Sequence, residues 1–179
     1  PRVSQAMVQR GRWRRTLRYF SRFGLRAAVQ SHRALGAGGP PVPVRLPAVG
    51  QPLWVRRGTA DAATLDEIFL AREYDLPLPG FAPAHIMDLG ANVGYTSVCF
   101  AARWPQARIL AVEPSADNLA LLRRNTAAWP QITVFQAAVW PYAAQVRIAN
   151  PLDDTNSYRM DEAVGPEGGG VPGCTVAQL

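Results

Sequence analysis

Short apolar runs alternate with segments of helical periodicity between residues 84 and 139. In chain order the predicted elements are a strand at Ala84–Leu89, a helix at Tyr95–Trp104, a strand at Arg108–Val112, a helix that begins after Ser115 or Asp117 and runs to Trp129, and a strand at Ile132–Val139. Strands connected through a helix lie parallel, with right-handed crossovers. The pattern predicts a Rossmann-like α/β fold, a parallel sheet with flanking helices that forms half of a doubly wound arrangement.

A basic amphipathic helix is predicted near the start of the chain, from Arg10 to about Val29, weakened by Gly24. Its apolar positions recur at steps of three and four, at Trp13, Leu17, Phe20, Phe23 and Ala27. Arginines recur on the opposite side, at Arg15, Arg18, Arg22 and Arg26. We expect the apolar stripe to pack on the body of the protein. Contact of residues 10–29 with anionic lipid or with RNA stays open as an alternative.

Glycine and proline are concentrated over residues 36–47 (GAGGPPVPVRLP), which predicts an extended linker. The linker divides the chain into a basic extension at 1–52 and a folded domain at 53–179. Beyond it, a strand is predicted at Leu53–Val55 and a helix from a capping box at Thr64 and Glu67 to about Tyr74. After Val139 the predicted elements are a turn at 141–144, a returning hairpin strand at Gln145–Ala149 and a loop over 150–173.

Charge is divided unevenly between the two parts. All 19 basic residues are arginine; residues 1–52 hold ten of them and no acidic residue, whereas residues 53–179 hold nine arginines and all 13 acidic residues. The sequence pI of about 10.1 therefore reflects the extension rather than the predicted domain.

Cysteine and histidine are sparse. Cys99, Cys174, His32 and His85 stand apart in the sequence, without the spacing of a zinc site or of a disulfide framework. We therefore expect no protein-bound metal and a reducing, cytoplasmic location. No apolar run approaches the roughly 18 residues that span a bilayer, so no integral membrane segment is expected.

Glycines and acidic residues lie where the predicted strands end. Gly90 and Gly94 bracket the turn from the first parallel strand into its helix, and Glu113 ends the second strand. Glycine admits a ligand close to the backbone, and the following helix N-terminus attracts an anionic group. An acid at the second strand end can accept both hydroxyls of a ribose. A nucleoside-containing ligand is predicted.

The spacing of the turn discriminates between such ligands. In a dinucleotide fingerprint, Gly-x-Gly-x-x-Gly, the second and third glycines would stand at Asn92 and Tyr95. A pyrophosphate would meet a side chain there, whereas the single carboxylate of S-adenosylmethionine fits better. Asp88 would then meet the methionyl ammonium, directly or through water. Asn92, Tyr95 and Thr96 would line the methyl-donor pocket.

The stretches DLGANVGY at 88–95, VEPS at 112–115 and LRRN at 122–125 resemble the FkbM family of S-adenosylmethionine-dependent methyltransferases, and RGTAD at 57–61 and EYD at 73–75 match its usual lead-in. The resemblance covers roughly residues 55–179. It implies a class I methyltransferase fold in which Gln136, Ala137 and Ala138 flank the adenine. The predicted cofactor-binding residues are Asp88, Gly90, Ala91, Asn92, Gly94, Tyr95, Thr96, Glu113, Pro114, Gln136, Ala137 and Ala138.

The sequence also departs from the family. A strand with Lys-x-Asp-x-Glu-Gly follows a Thr-Leu-Asp segment in the family, whereas here Thr175–Leu179 stands where that segment begins and the sequence stops. We therefore expect a fold that is incomplete at its C-terminus and a fragment of a longer enzyme. The isolated chain should be poorly soluble or marginally folded, because an unfinished sheet exposes a strand edge.

The resemblance implies O-methylation of a hydroxyl on a small molecule or sugar. A base would take the hydroxyl proton; Asp153, Asp154, His85 and Tyr158 suit this role by type only, and none is assigned. Two alternatives stay open: an NAD-linked oxidoreductase on the same architecture, and a non-catalytic module whose basic helix carries the function.

Overall fold

The computed structural model describes residues 5–75, 77–150, 158–163 and 170–179. The chain forms two compact units, one up to residue 76 and one from residue 77 onward. This boundary differs from the division after residue 52 expected from the linker composition. The reason is local pairing, because a strand inside the predicted linker joins a strand beyond it and holds residues on both sides of position 52 in the first unit.

Helix α1 (Gln5–Ala34) is interrupted at Gly24, whose φ of 85° and ψ of 176° are not helical. The hydroxyl of Thr16 lies 2.8 Å from Nδ1 of His32. In a straight helix these residues would be about 24 Å apart at 1.5 Å per residue. The two arms, residues 5–23 and 25–34, therefore fold back on each other. The prediction of one continuous helix is wrong, because periodicity does not report the conformation of a single glycine.

The inner side of this helical hairpin contains a polar network beside its buried alanines. Arg15 donates to both carboxylate oxygens of Asp66, at 2.6 and 2.7 Å, and to the carbonyl oxygen of Ser31 at 2.8 Å. The buried Tyr19 hydroxyl donates to Asp66 Oδ1 at 2.7 Å. Burial, and then the neighbouring Asp66 carboxylate, raise the pKa of Tyr19. A network with one charge pair and satisfied donors thus connects α1 to the segment that contains Asp66.

The expected packing of the apolar stripe is wrong for most of its members. Trp13, Leu17 and Phe20 are exposed, whereas only Ala27 is buried and Phe23 is half-buried against Tyr19. The side of α1 that bears Arg15 and Tyr19 faces inward instead, because their hydrogen bonds to Asp66 are satisfied there.

The remainder of the first unit consists of strands β1 (Val42–Arg45) and β2 (Pro52–Val55), helix α2 (Asp61–Leu65) and a π-helical turn (Asp66–Leu70). The strands pair antiparallel, so part of the predicted linker is a strand. The buried Asp61 accepts from the backbone N–H of Arg56 at 3.0 Å and from its guanidinium at 2.7 and 2.9 Å. The predicted capping box is not formed, because Thr64 Oγ1 donates to the carbonyl oxygen of Ala60.

The second unit begins with the alternation that the sequence predicts. Its elements are β3 (His85–Leu89), α3 (Tyr95–Arg103), β4 (Arg108–Val112), α4 (Ala116–Thr126) and β5 (Ile132–Phe135). The three strands are parallel in the order β3-β4-β5. Ser115 caps α4, with its side chain accepting from the backbone N–H of Asn118. The predicted Rossmann-like α/β arrangement is confirmed.

Both helices cover the same face of this sheet. Ala91, Ala111, Leu119 and Leu122 form a buried cluster with partly buried Ile132 and Val134. On the opposite face Met87, Leu89 and Phe135 are 37%, 42% and 41% exposed. The linear strand order explains this one-sided packing, because consecutive right-handed crossovers in one direction place their helices on one side.

A second sheet follows, with strands β6 (Ala138–Val139), β7 (Ala144–Ile148), β8 (Met160–Glu162) and β9 (Val171–Cys174) in the order β6-β9-β7-β8. The predicted strand at Ile132–Val139 is therefore two strands in two sheets. The returning strand exists as β7, but its antiparallel partners are β8 and β9 rather than the preceding strand. Strands β8 and β9 also correct the predicted loop over 150–173, of which residues 151–157 and 164–169 lie outside the described part.

Across the described ranges, no helix is long and apolar enough to cross a membrane.

Candidate functional site

The turn between β3 and α3 has an unusual backbone. Gly90, Asn92 and Gly94 have φ values of 87°, 50° and 86°. The backbone N–H groups of Gly90 and Ala91 both donate to the carbonyl oxygen of Val112 at 2.9 Å. These bonds hold the turn against the carboxyl end of β4, so the two strand ends that the sequence singled out are adjacent.

Glu113 connects the turn to the start of α4. Its side chain is 3% exposed. One carboxylate oxygen accepts from the backbone N–H of Asn92 at 2.8 Å, and the other accepts from the backbone N–H of Ser115 at 2.9 Å and from Nδ2 of Asn118 at 3.2 Å. Three N–H donors therefore orient this carboxylate at the end of β4, in a fixed position beside the glycine turn.

Asp88 is a largely buried carboxylate just before the turn. Its side chain accepts from the Ser97 hydroxyl at 2.5 Å, and burial raises its pKa even though hydrogen bonds from Ser97 act in the opposite direction. No cationic side chain forms an ion pair with Asp88 among the residues that the structure describes. A buried carboxylate without a cation is costly at neutral pH, which is typical of functional sites.

Asn92 has a side-chain hydrogen-bond acceptor that no described donor satisfies. Its side-chain Oδ1 is buried and has no hydrogen-bond partner within the described ranges, although its backbone N–H is bonded to Glu113. Buried polar atoms are normally satisfied, so an unsatisfied acceptor at a strained turn is a candidate ligand contact.

The two glycines of the turn have different surroundings. A Cβ at Gly90 would meet no atom within 4 Å, whereas a Cβ at Gly94 would lie 2.5 Å from Leu122 Cδ1 and 3.3 Å from Thr126 Cγ2. Gly94 therefore allows close packing of α3 on α4. Gly90 leaves open space beside the backbone, where a ligand group could approach.

The other predicted cofactor residues differ in their position relative to the site and in their burial. Gln136 and Ala137 follow β5 at the same sheet edge as Glu113, and Ala138 begins β6. The backbone N–H of Glu113 donates to the carbonyl oxygen of Phe135, which brings this segment beside the site. Tyr95 is 1% exposed within α3, whereas Thr96 and Pro114 are half-buried. The assignment of these residues to the cofactor stays a prediction.

Some residues that support the site were not predicted. Ser97 and Asn118 bind the two carboxylates, and Nδ2 of Asn125 donates to the carbonyl oxygen of Val93 at 2.8 Å. Their sequence signal is a polar residue at a buried helical position. That signal becomes specific only when the partner carboxylate is known.

The side chains considered as bases lie elsewhere or outside the described residues. His85 is exposed at the first position of β3, the opposite strand end from the glycine turn. Asp153 and Asp154 lie outside the described part, and Tyr158 stays unassigned. No cluster that could hold a metal ion occurs within the ranges that the structure describes.

No protein-family model matches the chain. It is similar to curated trans-aconitate 2-methyltransferases. It is 31% identical over 109 residues to the protein from Afipia carboxidovorans, a match that covers 55% of this chain and 41% of that protein. It is 36% identical over 78 residues to the protein from Azoarcus sp., covering 42% of this chain and 30% of that protein. The chain therefore spans less than half the length of the curated relatives it matches.

Similar solved structures include a precorrin-6y C5,15-methyltransferase from Geobacter metallireducens, with a TM-score of 0.35 and 23% identity over 42% of this chain and 39% of that chain. A methyltransferase FkbM from Methylobacillus flagellatus has a TM-score of 0.33 and 21% identity over 38% of this chain and 20% of that chain.

Proposed function

We propose that this chain binds S-adenosylmethionine and forms part of a class I methyltransferase. The observation that carries the proposal is a pair of acceptors around the glycine turn. The described residues give the Asp88 carboxylate hydrogen bonds from Ser97 but no cation, and they give Asn92 Oδ1 no donor. A ligand ammonium would supply the positive charge and the N–H donors. The curated relatives, which are named as methyltransferases, support the same ligand class.

We assign each part of the cofactor to a group near the carboxyl ends of the parallel strands. The open side of Gly90 and the N-terminus of the nine-residue α3 suit the methionyl carboxylate. Glu113, oriented by three N–H donors, suits the ribose hydroxyls. Gln136, Ala137 and Ala138 would flank the adenine. Asn92 occupies the position where a dinucleotide would require glycine, which disfavours NAD.

S-adenosylmethionine supplies a methyl group that positive sulfur already activates. The residues of the protein therefore mainly orient the acceptor and exclude water. We propose O-methylation of a hydroxyl on a small molecule or sugar, as the FkbM resemblance implies. The relatives are named for trans-aconitate, which supports a small-molecule acceptor but not the choice of hydroxyl.

Isothermal titration calorimetry with S-adenosylhomocysteine and with NADH tests the proposal. We expect S-adenosylhomocysteine to bind with a Kd of about 1–100 μM and NADH to give no heat of binding. Glu113→Gln should weaken binding at least about tenfold, because a hydrogen bond to a charged group is lost. The exposed Asp117, in the first turn of α4, provides the control Asp117→Asn, which should leave the Kd unchanged.

Two outcomes would contradict the proposal. Binding of NADH without S-adenosylhomocysteine would favour an NAD-linked oxidoreductase. Failure of a folded protein to bind either ligand would favour a non-catalytic module.

A further inference from the structure

Large apolar side chains are exposed on both arms of α1. Trp13, Leu17 and Phe20 are 59%, 63% and 53% exposed on the first arm, and Leu25 and Val29 are 68% and 42% exposed on the second. Steps of four and three residues place the first three on one stripe of the helix. The Trp13 ring lies 5.0 Å from the ring of His32, which is three positions beyond Val29, so the stripes of the two arms meet there. We call these five side chains the α1 apolar face. Clustered apolar exposure of this kind marks an interaction surface rather than an ordinary protein surface.

Exposed arginines border this face. At 3.6 residues per turn, Arg10 and Arg14 lie along one flank of the Trp13 and Leu17 stripe, and Arg18 lies beyond them. The opposite flank leads to the inward side of the helix, where Tyr19 is buried. Residues 1–52 contain no Asp or Glu, so no acidic residue of this segment offsets the positive charge.

We propose that the α1 apolar face and its flanking arginines bind the surface of an anionic phospholipid membrane. The apolar side chains would enter the boundary between headgroups and acyl chains, and the guanidinium groups would contact lipid phosphates. The helix would lie in the plane of the surface, since no described helix meets the requirement for spanning. This inference is independent of the proposed cofactor site.

Charge and side-chain type favour an anionic membrane over a second copy of the chain or RNA as the partner of this face. A second copy of the chain would bring two arginine-rich segments together, and the segment has no acidic residue to pair with them. RNA would account for the arginines, but Leu17 and Leu25 cannot stack on bases as aromatic side chains do. A lipid surface would contact both the arginines and the aliphatic side chains.

Co-sedimentation with vesicles tests the proposal on the full chain. One set contains phosphatidylcholine with about one quarter phosphatidylglycerol, and the other contains phosphatidylcholine alone. We expect binding to the anionic set and at least about tenfold weaker binding to the neutral set. Arg14→Gln combined with Arg18→Gln should weaken anionic binding about 25-fold, or about fivefold per arginine. Leu17→Ser should weaken it at least about tenfold.

Matched controls lie in the second unit. Val176 is 53% exposed and Arg147 is also exposed, so Val176→Ser and Arg147→Gln should leave vesicle binding unchanged. Circular dichroism establishes that each variant is folded. Absence of binding to anionic vesicles, or binding that Leu17→Ser does not weaken, would overturn the proposal. Binding to single-stranded RNA but not to vesicles would likewise overturn it.

Discussion

Single residues determine the geometry of the turn between β3 and α3. Gly90 and Gly94 are predictable from sequence, because a strand followed by glycine and a helix is a local signal, and Glu113 follows from its place at the next strand end. The positive φ of Asn92 and the bond from Ser97 to Asp88 are not predictable in this way. They depend on how β3, α3 and β4 pack together, which no local window of sequence contains.

Asp88 should make stability depend on pH with a definite sign. Burial raises its pKa above the ordinary value of 3.8, so the folded state holds the proton more tightly than the unfolded state. The stability contribution of this group is therefore complete below about pH 3.8 and is lost as pH rises through the elevated folded pKa. Asp88→Asn, which has no charge to bury and can still bond to Ser97, should be more stable than the unsubstituted protein at pH 7.

Thermal unfolding of both proteins at pH 7 and near pH 4 measures this difference. The extra stability of Asp88→Asn should decrease on acidification. Its cofactor binding should be weaker than that of the unsubstituted protein at either pH. Equal stability at pH 7, or an advantage that grows on acidification, would contradict the assigned cause of the pKa shift.

Gly90 and Gly94 should respond differently to alanine, although both have positive φ. At Gly90 the added methyl group meets open space, so we expect only the backbone cost of about 1–2 kcal/mol. At Gly94 it would lie against the buried Leu122, and the total cost should reach about 2–4 kcal/mol. Chemical denaturation measures the free energy of unfolding of both variants.

Ligand affinity separates the two positions further. Gly90→Ala should weaken S-adenosylhomocysteine binding at a temperature where the variant is fully folded, because its methyl group enters the proposed ligand space. A Gly90→Ala protein with unchanged affinity would place the ligand elsewhere.

The elements differ in how well the sequence predicts them. The bounds of β4 and the cap of α4 match the prediction, because apolar run length and Ser115 are local features. The reversal of α1 and the assignment of β6 to a second sheet do not. Strand β6 pairs with β9, more than thirty positions later in the chain, so its partner could not be inferred from its own sequence.

The fold-back of α1 should depend on Gly24. Its φ and ψ lie in a region that is essentially restricted to glycine, so Gly24→Ala should destabilise the protein by about 1–3 kcal/mol. Gly11 is the matched control, because it lies in the same helix with no atom near its added Cβ and no positive φ. Gly11→Ala should instead stabilise by about 0.5–1 kcal/mol. Chemical denaturation followed by circular dichroism compares them, and equal effects of the two substitutions would contradict the reversal.

At the scale of the whole molecule, the charge division predicted from sequence persists with a shifted boundary. The unit up to residue 76 holds 13 of the 19 arginines, and the unit from residue 77 contains the glycine turn and Glu113. The composition of the linker predicts a division after residue 52, whereas the two compact units divide after residue 76. The pairing of β1 with β2 across that linker could not be inferred from glycine and proline content.

Backbone amide NMR with S-adenosylhomocysteine tests the central claim most directly, because it reports the binding site residue by residue. We predict that the largest shift changes upon titration occur at Gly90, Ala91, Asn92 and Glu113, with amides of α1 unaffected. A saturable interaction that leaves these four amides unchanged, or the absence of any shift change in a folded protein, would contradict the account.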